Sequence, residues 1–314
     1  MTSLPEEFLA RAHQVLPAEH HDALAASLRD PRPVWLRVNT LVADPTEVAG
    51  HLKEFSPQRG PWPEALRIPA EHRHAMVRHP LREAGAIYLQ SLSSQVAALA
   101  LDPQPGEEIL DLCAAPGSKT SHIAALMGHG RLVANEVSKG RSYKLRAVLD
   151  LLRVSGVDGL DVRVRTGDGV RFRGHRECFD RVLVDAPCSG EGRFHVTDPA
   201  SWEGWGLRKI KGTASKQKAL LHAAIDATRP GGLLVYSTCT MAPEENEAVL
   251  ARAFKRYEGV IVLEPLPVPL PTALPALSSW GGKSFPPSIA EHARRIPPGP
   301  VWDGFFLARL RKLA

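Results

Sequence analysis

The stretch ILDLCAAPGSKTSHIAA (109–125) decides the fold of this chain. Its apolar run stops at the turn Ala115-Pro116-Gly117, and a helix-like pattern follows over 118–127. This order predicts a strand, a tight loop and a helix N-terminus. Such a junction directs free backbone N–H groups and the positive end of the helix dipole at whatever lies above the strand. Any βα turn shares these features, so the downstream sequence has to decide the function.

Apolar segments alternate with amphipathic helical patterns from residue 85 onward. Further strands are predicted at 132–135, 162–165, 182–185, 233–237, 260–263 and 304–312. Helices are predicted between most of them, at 140–155, 215–228 and 244–257. The alternation predicts an α/β fold with a Rossmann-like parallel sheet flanked by helices. The proline-dense segment 265–275 is expected to be a surface connection.

Residues 1–84 are predicted to form a separate small α+β domain, and 85–314 the larger domain. Apolar residues recur at helical spacing in 8–16 and in 20–28. The segment VWLRVNTL (34–41) alternates as a strand does, and a helix at 46–55 and a short strand at 66–68 follow. No catalytic pattern is recognisable in this part of the sequence.

Composition excludes several classes of protein. The 314 residues are 44% hydrophobic and 23% charged, as is typical of globular proteins. No apolar run approaches the roughly 20 residues of a membrane span, and the N-terminus lacks a signal-peptide core, so a cytoplasmic location is expected. Four cysteines without a CxxC pair predict reduced thiols, and 13 scattered histidines predict no metal site. The net charge of +5 is compatible with a polyanionic partner.

Three strand ends have the spacing of a site for S-adenosylmethionine, because ligands of such sheets bind at the carboxyl ends of the strands. The first end carries the AAPGSK loop. The second ends in Asn135-Glu136, where such folds hold ribose hydroxyls, and a solvated loop charge is the less favoured explanation of Glu136. The third carries Asp168 in TGDG (166–169), either a turn residue or an acceptor for an adenine amine. A dinucleotide site is disfavoured because no GxGxxG follows the first strand.

Two cysteines follow the next two strands. The segment RVLVDAPCSGEG (181–192) places Cys188 after Asp185, and LLVYSTCTM (233–241) ends at Cys239. Methyltransferases that act on amines place an aromatic residue after a Pro-Pro pair at the first position, so a cysteine there indicates covalent chemistry. One such cysteine alone is better explained as a buried structural thiol, but two at adjacent strand ends are not. Cys113 and Cys178 lack this context, and their thiols are assigned to the core or the surface.

A thiolate suits one reaction in particular. Carbon 5 of cytosine is a poor nucleophile until a group adds at carbon 6, and a thiolate is both a strong nucleophile and a competent leaving group. A carboxyl group near ring nitrogen 3 stabilises the charge that develops.

Several motifs together resemble the Nop/Sun (Fmu, RsmB/RsmF-like) family of RNA 5-methylcytosine methyltransferases. They are WLRVNT, GAIYLQSLSSQ, LDLCAAPGSKT, TGDG, VDAPCSGEG, YSTCTMAPEENE and DGFF, and they span residues 34–311. The resemblance implies a class I methyltransferase fold, S-adenosylmethionine as cofactor, RNA as partner and an RNA-recognition role for residues 1–84. It also implies that Cys239 is the nucleophile and Cys188 assists product release, with Asp185 and Lys119 as further catalytic residues. DNA cytosine methyltransferases differ, because their nucleophile follows the fourth strand.

The resemblance also implies a set of residues around the cofactor. They are Cys113, Ala114, Ala115, Pro116, Gly117, Lys119, Glu136, Arg141, Asp168 and Asp185. Ribosomal RNA is the favoured substrate, because CSGEG and STCT are most similar to bacterial rRNA enzymes, and tRNA is the alternative. A non-catalytic RNA-binding assembly factor is the alternative of another class. We expect a monomer, and no appended C-terminal RNA module, because the sequence stops just after its last predicted strand.

Two segments depart from the family pattern or extend it. Gln90-Ser91 stands where the family has Gln-Asp, and GRFHVTDP (192–199) lacks an Arg-Lys pair before Asp-Pro, with Arg193 placed early. The segment LRKIKGTASKQK (207–218), which we call the basic strip, has five basic residues and follows Trp202 and Trp205. It is either an RNA-facing surface of cations and aromatics or a solvated loop and helix start.

Overall fold

The computed structural model describes residues 4–174 and 177–314. Its helices are α1 Glu6–Val15, α2 His21–Ser27, α3 Pro45–His51, α4 Arg73–Val77, α5 Pro80–Glu83, α6 Leu92–Leu101, α7 Ser118–Met127, α8 Lys139–Leu151, α9 Leu207–Ala227, α10 Glu247–Arg256 and α11 Pro287–His292. Its strands are β1 Val34–Val38, β2 Gln58–Arg59, β3 Ala65–Ile68, β4 Ile87–Leu89, β5 Glu108–Asp111, β6 Gly130–Glu136, β7 Leu160–Thr166, β8 Phe179–Asp185, β9 Thr228–Thr238, β10 Ile261–Glu264, β11 Leu274–Pro275, β12 Ser279–Trp280, β13 Lys283–Ser284, β14 Arg294–Ile296 and β15 Phe305–Lys312.

A small antiparallel sheet has the strand order β2-β3-β1-β4. Its apolar side chains pack with those of α3 around Leu36, Leu52 and Leu66. The sheet passes the predicted domain boundary at 84/85, because β4 pairs with β1. The division into 1–84 and 85–314 stays a prediction.

The large sheet has the strand order β11-β14-β15-β9-β8-β5-β6-β7, with β10 paired to β15. Neighbouring strands from β7 to β9 are parallel, and the α/β class is as predicted. The predicted parallel arrangement holds from β7 to β9 but does not extend to the other strands, since β15 is antiparallel to β9, β10 and β14. Parallel neighbours need a long crossover, whereas a short loop connects β14 directly to β15.

Successive residues of the central strands point to opposite faces of this sheet. Leu110, Val184 and Leu234 pack toward α9 and α10, whereas Ile109, Leu183 and Val235 pack toward α6 and α7. Both faces are therefore covered, which explains why these strands are continuously apolar in the sequence.

Two further expectations need correction. Helix α9 begins at Leu207, well before the predicted 215. Ile210, Ala214 and Gln217 are buried at helical spacing, so tertiary packing stabilises this part of the helix although it contains Gly212. The segment 265–275 is not only a surface connection, since Leu266, Val268 and Leu270 alternate with prolines and pack against the core. Within the described ranges, no helix has the length and apolar character needed to cross a membrane.

Candidate active site

A cavity of about 530 Å³ opens at the carboxyl ends of β5, β8 and β9. The start of α6, the loop between β5 and α7, and the loops that follow β8 and β9 line it. This is the edge of the sheet at which ligands of doubly wound folds bind.

The loop between β5 and α7 has the predicted strand, turn and helix order. Gly117 has a φ of 112°, and a Cβ there would lie 3.1 Å from the Leu145 side chain and 3.2 Å from that of Val148. Glycine is therefore required by both conformation and space. The N–H of Ala114 donates to the carbonyl of Asn135 at 2.8 Å, which fixes the loop to the end of β6.

The two predicted thiols meet above the sheet. Because β8 and β9 are parallel neighbours with Asp185 opposite Ser237, the residues that follow them come together. The Sγ atoms of Cys188 and Cys239 lie 3.2 Å apart, within hydrogen-bond range for sulfur. The hydrogen bond from Cys188 lowers the pKa of Cys239 to about 7, and the positive charges of Arg193 and Lys119 act in the same direction. These influences favour the thiolate form at Cys239.

The pKa of Cys188 moves in the opposite direction. The hydrogen bond to Cys239, burial, and the nearby carboxylates of Glu245 and Asp185 raise it well above the usual value of a thiol. These influences favour the protonated form at Cys188.

Asp185 lies beside the thiols in a fixed orientation. Its carboxylate is 2.8 Å from the Lys119 ammonium and accepts a hydrogen bond of 2.9 Å from the Ser237 hydroxyl. The Lys119 ammonium also donates to the Ser94 hydroxyl at 2.8 Å. An acid and a cation are therefore held next to the reactive sulfur, at a site where charge on a substrate can be stabilised.

Comparison with known proteins agrees with this geometry. The family model described as 16S rRNA methyltransferase RsmB/F matches residues 98–311. The chain belongs to the RsmB/F family. The family resemblance inferred from the motifs is thereby confirmed.

Three relatives give the extent of the similarity. Ribosomal RNA small subunit methyltransferase F of Enterobacter sp. (strain 638) is 36% identical over 99% of this chain and 63% of that protein. A tRNA (cytosine(49)-C(5))-methyltransferase of Pyrococcus abyssi is 33% identical over 91% of this chain and 90% of its own length. The crystal structure of a methyltransferase homologue from Pyrococcus horikoshii is 31% identical, with a TM-score of 0.79 over 99% of this chain and 100% of its own. The class I methyltransferase fold is confirmed, and the chain spans less than two thirds of the length of the methyltransferase F relatives.

Most of the predicted cofactor residues of this RsmB/F chain border the cavity. These are Cys113, Ala114, Ala115, Pro116, Lys119, Arg141 and Asp185. The Cys113 thiol also packs against the core, as does that of Cys178, in agreement with their assignment from the sequence. The Arg141 guanidinium donates to the carbonyl of Ala115 at 2.7 Å and so braces the loop.

Gly117, Glu136 and Asp168 do not line the cavity. Glu136 is buried, accepts from the N–H of Ser138 at 2.9 Å and lies 3.5 Å from the Arg141 guanidinium, so it is not a solvated loop charge. Asp168 is exposed and accepts from the N–H of Val170 at 3.0 Å, as a turn residue does. Their cofactor roles stay predictions.

Asp111, at the end of β5, is a site residue that sequence reasoning missed. Its Oδ2 accepts from the Thr120 hydroxyl at 2.7 Å, whereas the buried Oδ1 has no partner within the described ranges. Burial raises the pKa of this carboxyl to about 7. Its place in LDLCAAPG, directly before the loop, was the available signal.

Two buried glutamates that sequence reasoning also missed fix the loops that carry Cys188 and Cys239. Glu245 accepts from the N–H of Ser189 at 3.0 Å and from the Gln217 amide at 2.8 Å, and that amide also donates to the carbonyl of Pro187 at 2.9 Å. Cys188 is thus clamped from both sides. Burial raises the pKa of Glu245. The signal was its place in MAPEENE.

Glu191 does the same for the loop of Cys239. It accepts from the N–H of Met241 at 3.1 Å and from the Thr240 hydroxyl at 3.0 Å. The adjoining Gly192 donates its N–H to the carbonyl of Cys239 at 3.0 Å. A Cβ at Gly192 would lie 1.9 Å from the carbonyl oxygen of Gly304. The two backbones therefore approach so closely that glycine is required both in CSGEG and in DGFF.

The basic strip forms the first half of α9. Lys209, Lys211 and Lys216 are exposed, as an RNA-facing surface requires. Trp202 is buried in an apolar cluster, and the Trp205 indole donates to Glu191 at 2.9 Å. The two tryptophans pack the loop after β8 against α1. The hypothesis that they face RNA is therefore wrong.

The 192–199 loop places one cation at the thiols. Arg193 borders the cavity beside Cys188 and Cys239, and the two sulfurs raise its pKa. In residues 4–174 and 177–314, no three His, Cys, Asp or Glu side chains are grouped so as to hold a metal ion, and a reaction without metal stays a prediction.

Proposed function

We propose that this protein is an S-adenosylmethionine-dependent RNA cytosine-C5 methyltransferase that acts through a covalent adduct on Cys239. The observation that carries the proposal is the pair of thiols 3.2 Å apart at the tips of two parallel strands, beside Asp185 and Lys119. A thiolate with a pKa of about 7 is available for attack at neutral pH.

The residues around the cavity fit the methyl donor. S-adenosylmethionine carries a sulfonium and an ammonium group, and the cavity offers two carboxylates, Asp111 and Asp185, the first with an unpartnered buried oxygen. The loop 113–119 and Arg141 would hold the donor from below, with Glu136 and Asp168 proposed at its adenosine end. When bound, the donor supplies an electrophilic methyl group.

The chain's own residues would act in order on the cytosine. Cys239 Sγ adds to carbon 6 and forms a C–S bond, while Asp185 and Lys119 stabilise the charge that moves toward ring nitrogen 3. After carbon 5 has gained the methyl group, a base takes the carbon 5 proton, and Cys188 assists the release of the product. The electron pair left behind restores the ring double bond as the C–S bond to Cys239 breaks.

Ribosomal RNA is the proposed substrate, and tRNA the alternative. The family description and the Enterobacter relative name ribosomal RNA, whereas the Pyrococcus abyssi relative names tRNA. We further propose that residues 1–84 form an RNA-recognition domain and that the protein acts as a monomer. A non-catalytic assembly factor is disfavoured, because such a factor has no need of a lowered thiol pKa.

Methyl transfer from labelled S-adenosylmethionine to ribosomal RNA, ribosomal subunits and tRNA tests the proposal. Bisulfite sequencing of RNA from cells with and without the gene then locates the modified cytosine. We expect one ribosomal RNA position to lose its mark. Loss of a tRNA mark instead supports the alternative substrate, and absence of transfer to every RNA refutes the proposed activity.

A further inference from the structure

A second cavity, of about 520 Å³, adjoins the thiol site. The two cavities share the lining residues Leu89, Gln90, Ser91, Arg193 and Asp303. The remaining walls come from the segment before β1, from Arg73 at the start of α4, and from the loops at 195–198 and 299–301. The active-site cleft therefore continues past Arg193 to the junction between the small sheet and the large one.

One of the cations that line this second cavity, Arg73, lacks an anionic partner. Arg32 forms an ion pair with Asp303. Within the described part of the chain, the guanidinium group of Arg73 has no carboxylate within ion-pair distance and no hydrogen-bond acceptor, whereas that of Arg193 faces the sulfurs of Cys188 and Cys239. An unpaired guanidinium group at the edge of a cavity favours a phosphate group as ligand.

One wall of the second cavity is held rigidly. The Arg37 guanidinium donates to Gln90 Oε1 at 2.8 Å, and the N–H of Gln90 donates to the carbonyl of Trp35 at 3.0 Å. Because a guanidinium can only donate, this contact fixes the amide with its Nε2 as a spare donor. Gln90 Nε2 and Trp35 Nε1 are both buried without an acceptor among the described residues.

We propose that the second cavity binds the nucleotide next to the target cytosine in a single-stranded RNA segment, with its phosphate on Arg73. The inference rests on the proposed function. A cytosine at Cys239 has its neighbour one phosphodiester away, and Arg193 borders both spaces. Pro31, Pro33, Pro300 and Val301 give the neighbour's base an apolar surface. Separate spaces for two successive bases require that they be unstacked, as in a loop or an opened strand.

The test compares Arg73→Ala with Arg78→Ala. Both arginines are exposed, and Arg73 is the first residue of α4 whereas Arg78 directly follows its last, but Arg78 borders neither cavity. Fluorescence anisotropy measures binding of a labelled single-stranded RNA nonamer with one central cytosine at several salt concentrations. For Arg73→Ala we expect affinity about tenfold weaker and a salt slope smaller by about 0.7, the loss of one phosphate contact. Arg78→Ala should bind like the unaltered protein.

A second measurement separates this inference from the proposed function. The unaltered protein is first assayed for methyl transfer to ribosomal RNA and tRNA, and each variant for thermal melting and S-adenosylmethionine binding. If the unaltered protein transfers no methyl group, the proposed function fails. If it does, and folded Arg73→Ala keeps the affinity and salt slope of Arg78→Ala, only the inference about the second cavity is overturned.

Discussion

At the scale of single residues, the charge state of the two thiols decides what the site can do. Arg193 and Lys119 favour a thiolate at Cys239, whereas Glu245 and Asp185 favour a protonated Cys188. The two sulfurs are in contact and share Asp185 and Arg193 as charged neighbours, and the hydrogen bond between them is the largest influence on both pKa values. The separate roles of the two cysteines, nucleophile and aid to product release, stay a prediction.

The difference in charge state between the two thiols is measurable by alkylation. The thiolate fraction of Cys239 should rise with pH through a midpoint of about 7, since a thiol loses its proton as pH rises past its pKa. At neutral pH iodoacetamide should therefore modify Cys239 before Cys188, as followed by peptide mass spectrometry. Replacing Arg193 by Gln removes a stabilising charge and should move the midpoint upward. A midpoint that stays in place would show that Arg193 does not act on the thiolate.

Removal of each thiol should have a different result. Cys239→Ser replaces a thiolate by a hydroxyl with a far higher pKa, so methylation and adduct formation should both disappear. Cys188→Ser leaves addition and methyl transfer intact but impairs elimination, so protein should stay attached to methylated RNA. A denaturing gel shows such an adduct as a slow band that nuclease collapses. The opposite pattern would assign the nucleophile to the loop after β8.

At the scale of elements, α9 carries two faces with two tasks. Its buried face presents Gln217 to the carbonyl before Cys188, and its exposed face presents Lys209, Lys211 and Lys216. The helix thus connects a basic surface to the loop that carries Cys188.

Changing Lys209, Lys211 and Lys216 together to Ala should weaken RNA binding and reduce its salt dependence. Each lost phosphate contact lowers the slope by about 0.7 for a single strand. Affinity for S-adenosylmethionine should not change, because these side chains do not line the cavity. Lys53, Lys144 and Lys255, exposed lysines outside α9, provide a control with the same change in net charge. If both triple variants change RNA affinity and its salt dependence equally, the basic strip is an ordinary solvated surface.

At the scale of the whole molecule, buried polar groups join the small sheet to the large domain. Fully buried Arg37 of β1 donates to the Ser121 hydroxyl of α7 at 2.8 Å, and His122 of the same helix lies 3.1 Å from the Glu64 carboxylate. Farther along the interface, Phe8 of α1 packs on Phe194 with ring centroids 4.8 Å apart. The position of the small sheet relative to the thiols therefore depends on these contacts.

His122 should make this arrangement sensitive to acid. Burial lowers its pKa to about 4, below its usual 6.5, so the unfolded chain binds a proton that the folded chain does not. The contribution of His122 is complete above about pH 6.5 and is lost as pH falls toward 4, by at most about 3 kcal/mol. Urea denaturation of the unaltered protein and His122→Gln at pH 7 and pH 5 isolates this group. A difference in unfolding free energy that is independent of pH would contradict the assignment.

The sequence by itself determined the parts of this protein that depend on local order. The run from Ile109 to Ala125 folds as a strand, loop and helix, and parallel strands put their carboxyl ends at one edge, so Cys188 and Cys239 were predictable neighbours. Tertiary structure alone decided which partners each side chain meets. The antiparallel β15, the clamps made by Glu245 and Gln217, the burial of Arg37 and the place of Arg193 all join residues distant in the chain. Sequence periodicity shows which face of a helix or strand is apolar. Contacts between residues distant in the chain decide which other element that face packs against.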